Sequence, residues 1–113
     1  MDYRIPINNK DYHKAILTVL NFNLHLSKQE LDIVSTLLNH NVLIVDRQVR
    51  DTLRKDLDIS KFNTNNYIST LRKKGILVTK PADKKLYLNS GIIDIVKDKK
   101  VSFEFILHDN NNN

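Results

Sequence analysis

The sequence has no cysteine and only two glycines among its 113 residues. Without cysteine the chain has no disulfide framework and no thiolate metal site, which is compatible with a reducing cytoplasm. The glycines, Gly75 and Gly91, stand too far apart to form a phosphate-cradling loop. The longest apolar runs, such as residues 42–45, are too short to span a bilayer, and no signal-peptide pattern follows Met1. We therefore expect a cytoplasmic protein that is not secreted and has no membrane partner.

Patterns typical of catalysis and metal binding are missing as well. The histidines, His13, His25, His40 and His108, fall in four separate predicted elements without a paired-ligand spacing. The acids are scattered, and Asp46 fits a helix cap better than a general base. No Ser/His/Asp arrangement is suggested by the order of residues. We expect a non-enzyme that holds no metal and no cofactor.

The length and the 41% hydrophobic content support one domain, which buries roughly 65% of its unfolded surface on folding. Within it we expect an N-terminal arm and helix over residues 1–26 and a core over residues 27–89. A C-terminal β extension over residues 90–109 and a solvated, asparagine-rich tail over residues 110–113 should follow. No internal repeat is visible.

The N-terminal part of the chain predicts two helices. Residues 3–7 alternate around Pro6 like an edge strand or an extended arm, and Asn8 or Asn9 can cap the first helix. Ser27 and Glu30 form a capping box for a second helix over residues 28–39. The predicted core-facing residues of the first helix are Tyr12, Ile16, Val19 and Leu20, and those of the second are Leu31, Ile33, Val34, Leu37 and Leu38.

Two further helices are predicted in the middle of the chain. Asp46 suits the start of the third helix, whose apolar residues Val49, Leu53 and Leu57 recur every four positions up to about Asp58. The preceding run, residues 42–45, fits a short strand.

Ser60 caps the fourth helix and Gly75 ends it, with Thr64, Tyr67, Ile68 and Leu71 on one face. Phe62 stands early in this helix, either buried in the core or exposed for an apolar contact with a partner. The opposite face is polar and carries Lys61, Asn65, Asn66, Ser69, Arg72 and Lys73.

The remaining residues predict strands. Residues 76–79 and 85–88 form a hairpin around a turn with Pro81 early and Asp83 late. Residues 92–96 and 101–107 form two more candidate strands on either side of residues 97–100. In the last of these, Val101, Phe103, Phe105 and Leu107 alternate with Ser102, Glu104 and Ile106.

The positive charge is concentrated in one part of the chain. Residues 61–88 contain seven cations and one acid, a local charge of +6, whereas the chain as a whole carries +5. Such a patch is typical of a surface that binds a polyanion. The alternative is that these lysines only solvate a helix end and a turn.

The heptapeptide L-R-K-K-G-I-L, residues 71–77, resembles the L-x-x-K-G-[IVL]-[IVL] run that ends the recognition helix of winged helix-turn-helix DNA-binding proteins. L-Y-L-N-S, residues 86–90, is similar to the Y-x-[IL]-N-P that follows the wing in some phage and plasmid regulatory or replication proteins, with Ser90 in place of proline. The resemblance covers about residues 26–88. It implies an α+β fold with a three-helix core and a β-hairpin wing, extended here by an N-terminal helix and C-terminal β-strands.

The resemblance also implies a function, the binding of double-stranded DNA by a transcriptional regulator or replication accessory protein. Lys61, Asn65, Asn66 and Ser69 would enter the major groove. Arg72, Lys73, Lys80, Lys84 and Lys85 would contact phosphates or the minor groove. The abundance of Asn, Lys and Ile, which have AT-rich codons, favours a phage or low-GC bacterial source.

Two other functions stay open at this point. One is a virion-structural or assembly protein that uses the winged-helix fold for protein contacts. Its support is the strand at residues 101–107, which either covers its own core or serves as an interface to a virion partner or a second copy in a homodimer. The other, a single-strand binder, is disfavoured because no aromatic platform is evident.

Overall fold

The computed structural model describes residues 4–97 and 102–108, which contain five α-helices and a two-stranded antiparallel sheet. The α+β class expected from the sequence is confirmed. No helix within these residues has both the length and the apolar character needed to cross a membrane. After a 3₁₀ turn at Asn9–Asp11, the elements are α1 (Tyr12–Leu24), α2 (Lys28–Asn39), α3 (Arg47–Leu57), α4 (Lys61–Lys73), β1 (Leu77–Thr79), β2 (Leu86–Leu88) and α5 (Ser90–Val96).

The helix boundaries follow from capping side chains. At the start of α2 the predicted capping box is present: the Glu30 amide donates to Ser27 Oγ at 3.2 Å, and the Ser27 amide donates to Glu30 Oε1 at 2.7 Å. Asp46 accepts a hydrogen bond from the Val49 amide at 2.9 Å and begins α3. Asp58, in the left-handed region with φ 51°, ends it. These caps satisfy amides that have no partner inside a helix, so the boundaries are set locally.

The core lies between α1, α2, α3 and α4, and the hairpin and α5 contribute Leu77, Leu86, Leu88, Ile92 and Val96 to it. The five predicted core residues of α2 are all buried. In α1 the predicted face is partly wrong, because Val19 is 37% exposed whereas Leu17 is fully buried. The helix is rotated so that the consecutive residues Ile16 and Leu17 are both buried. A face predicted from spacings of three and four residues includes Ile16 but not Leu17. Each fully buried leucine contributes roughly 1.5–3 kcal/mol of burial free energy.

The sheet forms the predicted hairpin. Its strands pair Leu77 with Leu88 and Thr79 with Leu86. The run at residues 42–45 joins it only through an isolated bridge between Ile44 and Tyr87. The expected third strand is therefore reduced to a single antiparallel bridge on the outer side of β2.

The C-terminal β extension predicted for residues 90–109 is wrong where the structure describes it. Residues 92–96 belong to α5, which Asn89 caps by accepting a hydrogen bond from the Gly91 amide at 2.8 Å. Ile92 and Val96 are buried four residues apart on one helix face. A short apolar run is compatible with a helix as well as with a strand, and the Asn89 cap favours the helix. Residues 102–108 form neither helix nor strand, and their side chains are exposed.

Some predictions fall wholly or partly outside the described residues. Tyr3, residues 98–100, Val101 and the tail at residues 110–113 lie there. Of the predicted N-terminal arm, residues 4–7 are exposed and form no strand.

Candidate nucleic-acid interface

The start of α4 is held by hydrogen bonds to Ser60. The Ser60 hydroxyl accepts from the Asn63 amide at 3.1 Å, and the Thr64 hydroxyl donates to the Ser60 carbonyl at 2.8 Å. Thr64, Ile68 and Leu71 are buried, so this face packs into the core as predicted. The opposite face must then point outward.

The end of α4 is a Schellman turn. Gly75 has φ 77°, and its amide donates to the Arg72 carbonyl at 3.1 Å. The Ile76 amide donates to the Leu71 carbonyl at 3.0 Å. This pattern needs a left-handed residue after the helix, a conformation that glycine adopts without strain. The turn leads directly into β1, so the hairpin follows the last turn of α4 without a loop.

The outward face of α4 is polar, basic and free of intramolecular partners. Its six predicted site residues are all exposed. In the described residues none of their side chains has a hydrogen-bond or ion-pair partner. From Lys61 to Lys73 the helix extends about 18 Å, so the two ends of this face cannot contact one phosphate together. The six are Lys61, Asn65, Asn66, Ser69, Arg72 and Lys73.

Phe62 lies on the same outward face, three and four residues before Asn65 and Asn66. It is 73% exposed, so of the two environments that the sequence allowed, the core is excluded. At 100° per residue, position 62 lies opposite the buried Thr64, Ile68 and Leu71, so the burial of that face turns Phe62 outward. A bare aromatic ring beside amide and ammonium groups offers an apolar contact within an otherwise hydrogen-bonding surface.

The hairpin carries three predicted site residues in two different states. Lys80 Nζ lies 4.0 Å from the centroid of the Tyr87 ring, a cation–π contact that holds its side chain against the sheet. Lys84 and Lys85 extend from the turn without side-chain partners in the described residues. Lys84 has φ 59°, a left-handed conformation that is unfavourable for a residue with a Cβ.

Asp83 organises this turn. Its carboxylate accepts hydrogen bonds from the Tyr87 hydroxyl and, at 2.9 Å, from the Lys85 amide. The Tyr87 hydroxyl, followed by the Lys85 amide, lowers the pKa of Asp83, and the hydrogen bond to the Asp83 carboxylate raises the pKa of Tyr87. The one acid in the basic patch is therefore committed to the hairpin itself.

Lys74, one of the seven cations of the basic patch, points away from the others. Its ammonium donates to Glu30 Oε1 and to the His25 carbonyl, each at 2.8 Å. Glu30 is buried and belongs to the capping box of α2. The Lys74 contact thus joins the ends of α1, α2 and α4. The patch therefore offers six cations to a ligand rather than seven.

A cleft of about 500 Å³ separates the last turns of α4 from β1. Three predicted site residues, Ser69, Arg72 and Lys73, lie along its helical wall, and β1 forms the opposite wall. Lys61, Asn65 and Asn66 lie outside the cleft, nearer the start of α4. The structure thus places the end of the predicted α4 surface across a cleft from β1, which was not predicted. The hairpin site residues Lys80, Lys84 and Lys85 are not among the residues that line it.

The remaining titratable clusters are small. His40 Nε2 contacts Asp56 Oδ2 at 3.0 Å, and His13 Nδ1 contacts Asn39 Oδ1 at 2.6 Å. Residues 4–97 and 102–108 contain no group of three or more histidine, aspartate or glutamate side chains arranged to hold a metal ion.

No protein-family model, no curated protein and no solved structure matches this chain.

Proposed function

We propose that this protein binds double-stranded DNA through the outward face of α4 and the adjoining hairpin. The observation that carries the proposal is the unpartnered polar face of α4, which contains three cations, two amides and no acid, next to a hairpin with three more cations. Unpaired cations on one surface attract a polyanion, and asparagine amides make paired hydrogen bonds to adenine in the major groove.

The order of elements supports a winged helix-turn-helix fold for this proposal. From residue 28 onward it runs helix, bridging segment, two helices and a β-hairpin, with the segment at residues 43–45 beside β2. In that fold the last helix before the hairpin is the recognition helix, and the hairpin is the wing. Here these elements are α4 and β1–β2.

The proposal assigns different tasks to different residues. Asn65, Asn66 and Ser69 face base edges in the major groove, with Lys61 at the start of the helix. Arg72 and Lys73 at its end bind phosphates, as do the lysines of the hairpin. Phosphate contacts supply affinity and position, and base contacts supply sequence preference. A regulator or a replication accessory protein is the biological role that fits this activity.

The test separates these tasks with two double variants. Asn65→Ala with Asn66→Ala should reduce discrimination between a preferred and a scrambled duplex by about 1–3 kcal/mol per lost bidentate contact. Lys84→Ala with Lys85→Ala should weaken both duplexes equally. The preferred duplex is first selected from a random pool, and affinities are measured by fluorescence anisotropy. Equal weakening of every duplex by both variants would contradict base reading by α4.

A second candidate function is assembly with other proteins, as in a virion-structural protein. Exposed apolar side chains favour it, namely Phe62 on α4 and the segment at residues 102–107. Large exposed apolar side chains in neighbouring positions are typical of protein interfaces. Undetectable binding to random duplex DNA at low salt, together with a stable protein–protein complex of this chain in solution, would favour assembly over DNA binding.

A further inference from the structure

The outer edge of β1 has unused main-chain hydrogen-bonding groups. The Asn89 amide donates to the Ile76 carbonyl at 2.9 Å, and the Lys80 amide donates to the Lys85 carbonyl at 3.1 Å. Main-chain groups alternate in direction along an antiparallel strand, so Val78 also faces β2, whereas Leu77 and Thr79 face away from it. Each of these two residues directs one N–H and one C=O toward the cleft.

The opposite edge of the sheet is already occupied. The Val45 amide donates to the Leu86 carbonyl at 2.8 Å, and the Leu88 amide donates to the Leu43 carbonyl at 3.0 Å. Within residues 4–97 and 102–108 no segment pairs in this way with the outer edge of β1. An unpaired strand edge is a template for another strand.

The two sides of this edge differ in chemistry. On the side of α4 the cleft is lined by Arg72 and Lys73, whose side chains have no partner in the described part of the chain. Val78 also lines the cleft, but its side chain alternates with those of Leu77 and Thr79, is 41% exposed and lies beside the half-buried Tyr87. A strand that fits the edge should carry negative charge on one side and apolar side chains on the other.

The segment Ser102–His108 has this composition. It forms no helix or strand, and Phe105 is 82% exposed. If it becomes extended, Phe103, Phe105 and Leu107 fall on one side, because side chains alternate, and Ser102, Glu104 and Ile106 fall on the other, where Glu104 supplies the negative charge. None of its residues lines the cleft.

We propose that residues 102–107 of a second copy add as a strand to the outer edge of β1. The added strand would place Phe103, Phe105 and Leu107 on the side of the sheet that carries Val78. Glu104, on the opposite side of the added strand, would lie near Arg72. Because every copy has both the edge and the segment, two copies exchange segments and form a closed dimer in which both edges are covered.

This dimer has a consequence that rests on the proposed function. Arg72 and Lys73 are assigned to phosphates, yet the added strand covers them. Self-association and DNA binding therefore compete for the same cleft, and duplex DNA should dissociate the dimer. A variant that loses self-association but keeps every cation of the DNA-binding surface, such as Phe105→Asp, should bind DNA at least as tightly as the unmodified chain.

The experiment is sedimentation velocity on the full chain without DNA, from low to high micromolar concentration. We expect a monomer–dimer equilibrium in the unmodified chain. Glu104→Lys and Arg72→Glu should each raise the dimer dissociation constant about tenfold or more by placing like charges together. An equimolar mixture of the two variants should restore the dimer, because the heterodimer contains an opposite-charge pair at both edges.

Two controls address the edge and the apolar side. Thr79→Pro removes an N–H that points away from β2, a position where an edge strand tolerates proline, and should abolish the dimer while the chain stays folded by circular dichroism. Phe105→Asp should weaken the dimer, whereas Phe22→Asp on α1 should not. Phe22 is a matched control because it is also 82% exposed.

A monomer at every concentration would overturn the proposal, whether the segment stays free or folds onto its own chain. A dimer that is insensitive to Thr79→Pro, or that the mixture of charge variants fails to restore, would overturn it as well. DNA binding is measured separately on Phe105→Asp. Failure of that variant and of the unmodified chain to bind DNA would contradict the proposed function and leave the result on self-association intact.

Discussion

Raising the salt concentration from 50 to 200 mM is expected to weaken duplex DNA binding about 10³-fold. Each phosphate neutralised by a cation releases condensed counterions and contributes about −0.9 to the slope of log affinity against log salt. The six cations that remain after Lys74 is set aside therefore give a slope of about −5. They are Lys61, Arg72, Lys73, Lys80, Lys84 and Lys85.

Matched variants make the salt series specific to this surface. Lys84→Ala with Lys85→Ala should reduce the magnitude of the slope by about 2, one unit for each lost phosphate contact. Lys10→Ala with Lys28→Ala removes the same charge from the N-terminal part of the chain and should leave the slope unchanged. A slope near zero, or no detectable binding at 50 mM salt, would contradict the DNA-binding proposal.

The substitution Glu30→Gln is expected to lower the free energy of unfolding by about 1.5–3 kcal/mol, the range for a hydrogen bond to a charged group. The Glu30 side chain is 4% exposed and the Lys74 side chain 31%. Glutamine can still complete the capping box, so the change removes the charge and keeps the cap. The Lys74 ammonium would then keep only the His25 carbonyl as a strong acceptor.

The measurement is urea denaturation at pH 7, with an exposed ion pair as the control. Lys14 Nζ and Asp32 Oδ1 are 2.9 Å apart, and their side chains are 48% and 23% exposed. Because solvent screens this pair, Asp32→Asn should cost less than about 1 kcal/mol. A loss at Glu30 no larger than this control would show that the contact with Lys74 contributes little.

The effect of Glu30→Gln should depend on pH. Burial raises the pKa of Glu30, but the hydrogen bonds from Lys74 and Ser27 outweigh it and hold the pKa below the usual value of 4.5. A group whose pKa is lower in the folded than in the unfolded state stabilises the folded state at pH values above its unfolded pKa. This contribution is lost as the pH falls through the folded pKa. The difference in stability between the two proteins should be full at pH 7 and shrink below about pH 4.5. An unchanged difference at pH 3 would contradict the ion-pair explanation.

Local signals explain which parts of the fold could be predicted from the sequence. Ser27, Asp46 and Ser60 each bond an amide three residues away, so the starts of α2, α3 and α4 were readable from short segments. The end of α4 was also readable, because a glycine after basic residues can adopt the left-handed conformation that ends a helix. The outward face of α4 followed from its apolar face, because a helix of fixed period that buries one side exposes the other.

The errors lie where distant residues decide the structure. The Lys74–Glu30 contact joins residues 44 positions apart, and no local pattern indicates it. Asn89 caps α5 by accepting a hydrogen bond from the Gly91 amide, and its side-chain amide donates to the distant Gly75 carbonyl at 2.9 Å. Residues 92–96 therefore form a helix next to the end of α4 instead of the predicted strand. The exposure of Val19 depends on how α1 is rotated against the core, which a single helical period leaves undetermined.

The left-handed conformation of Lys84 sets folding stability against charge at the tip of the hairpin. A side chain with a Cβ at φ 59° costs roughly 1–2 kcal/mol relative to glycine, which adopts this region freely. Thermal selection alone would therefore enrich glycine or asparagine at position 84, and each such replacement would remove a cation from the solvent-facing turn. Position 84 is therefore a point where two engineering aims conflict: higher heat resistance favours glycine or asparagine, whereas tight binding of a polyanion favours lysine.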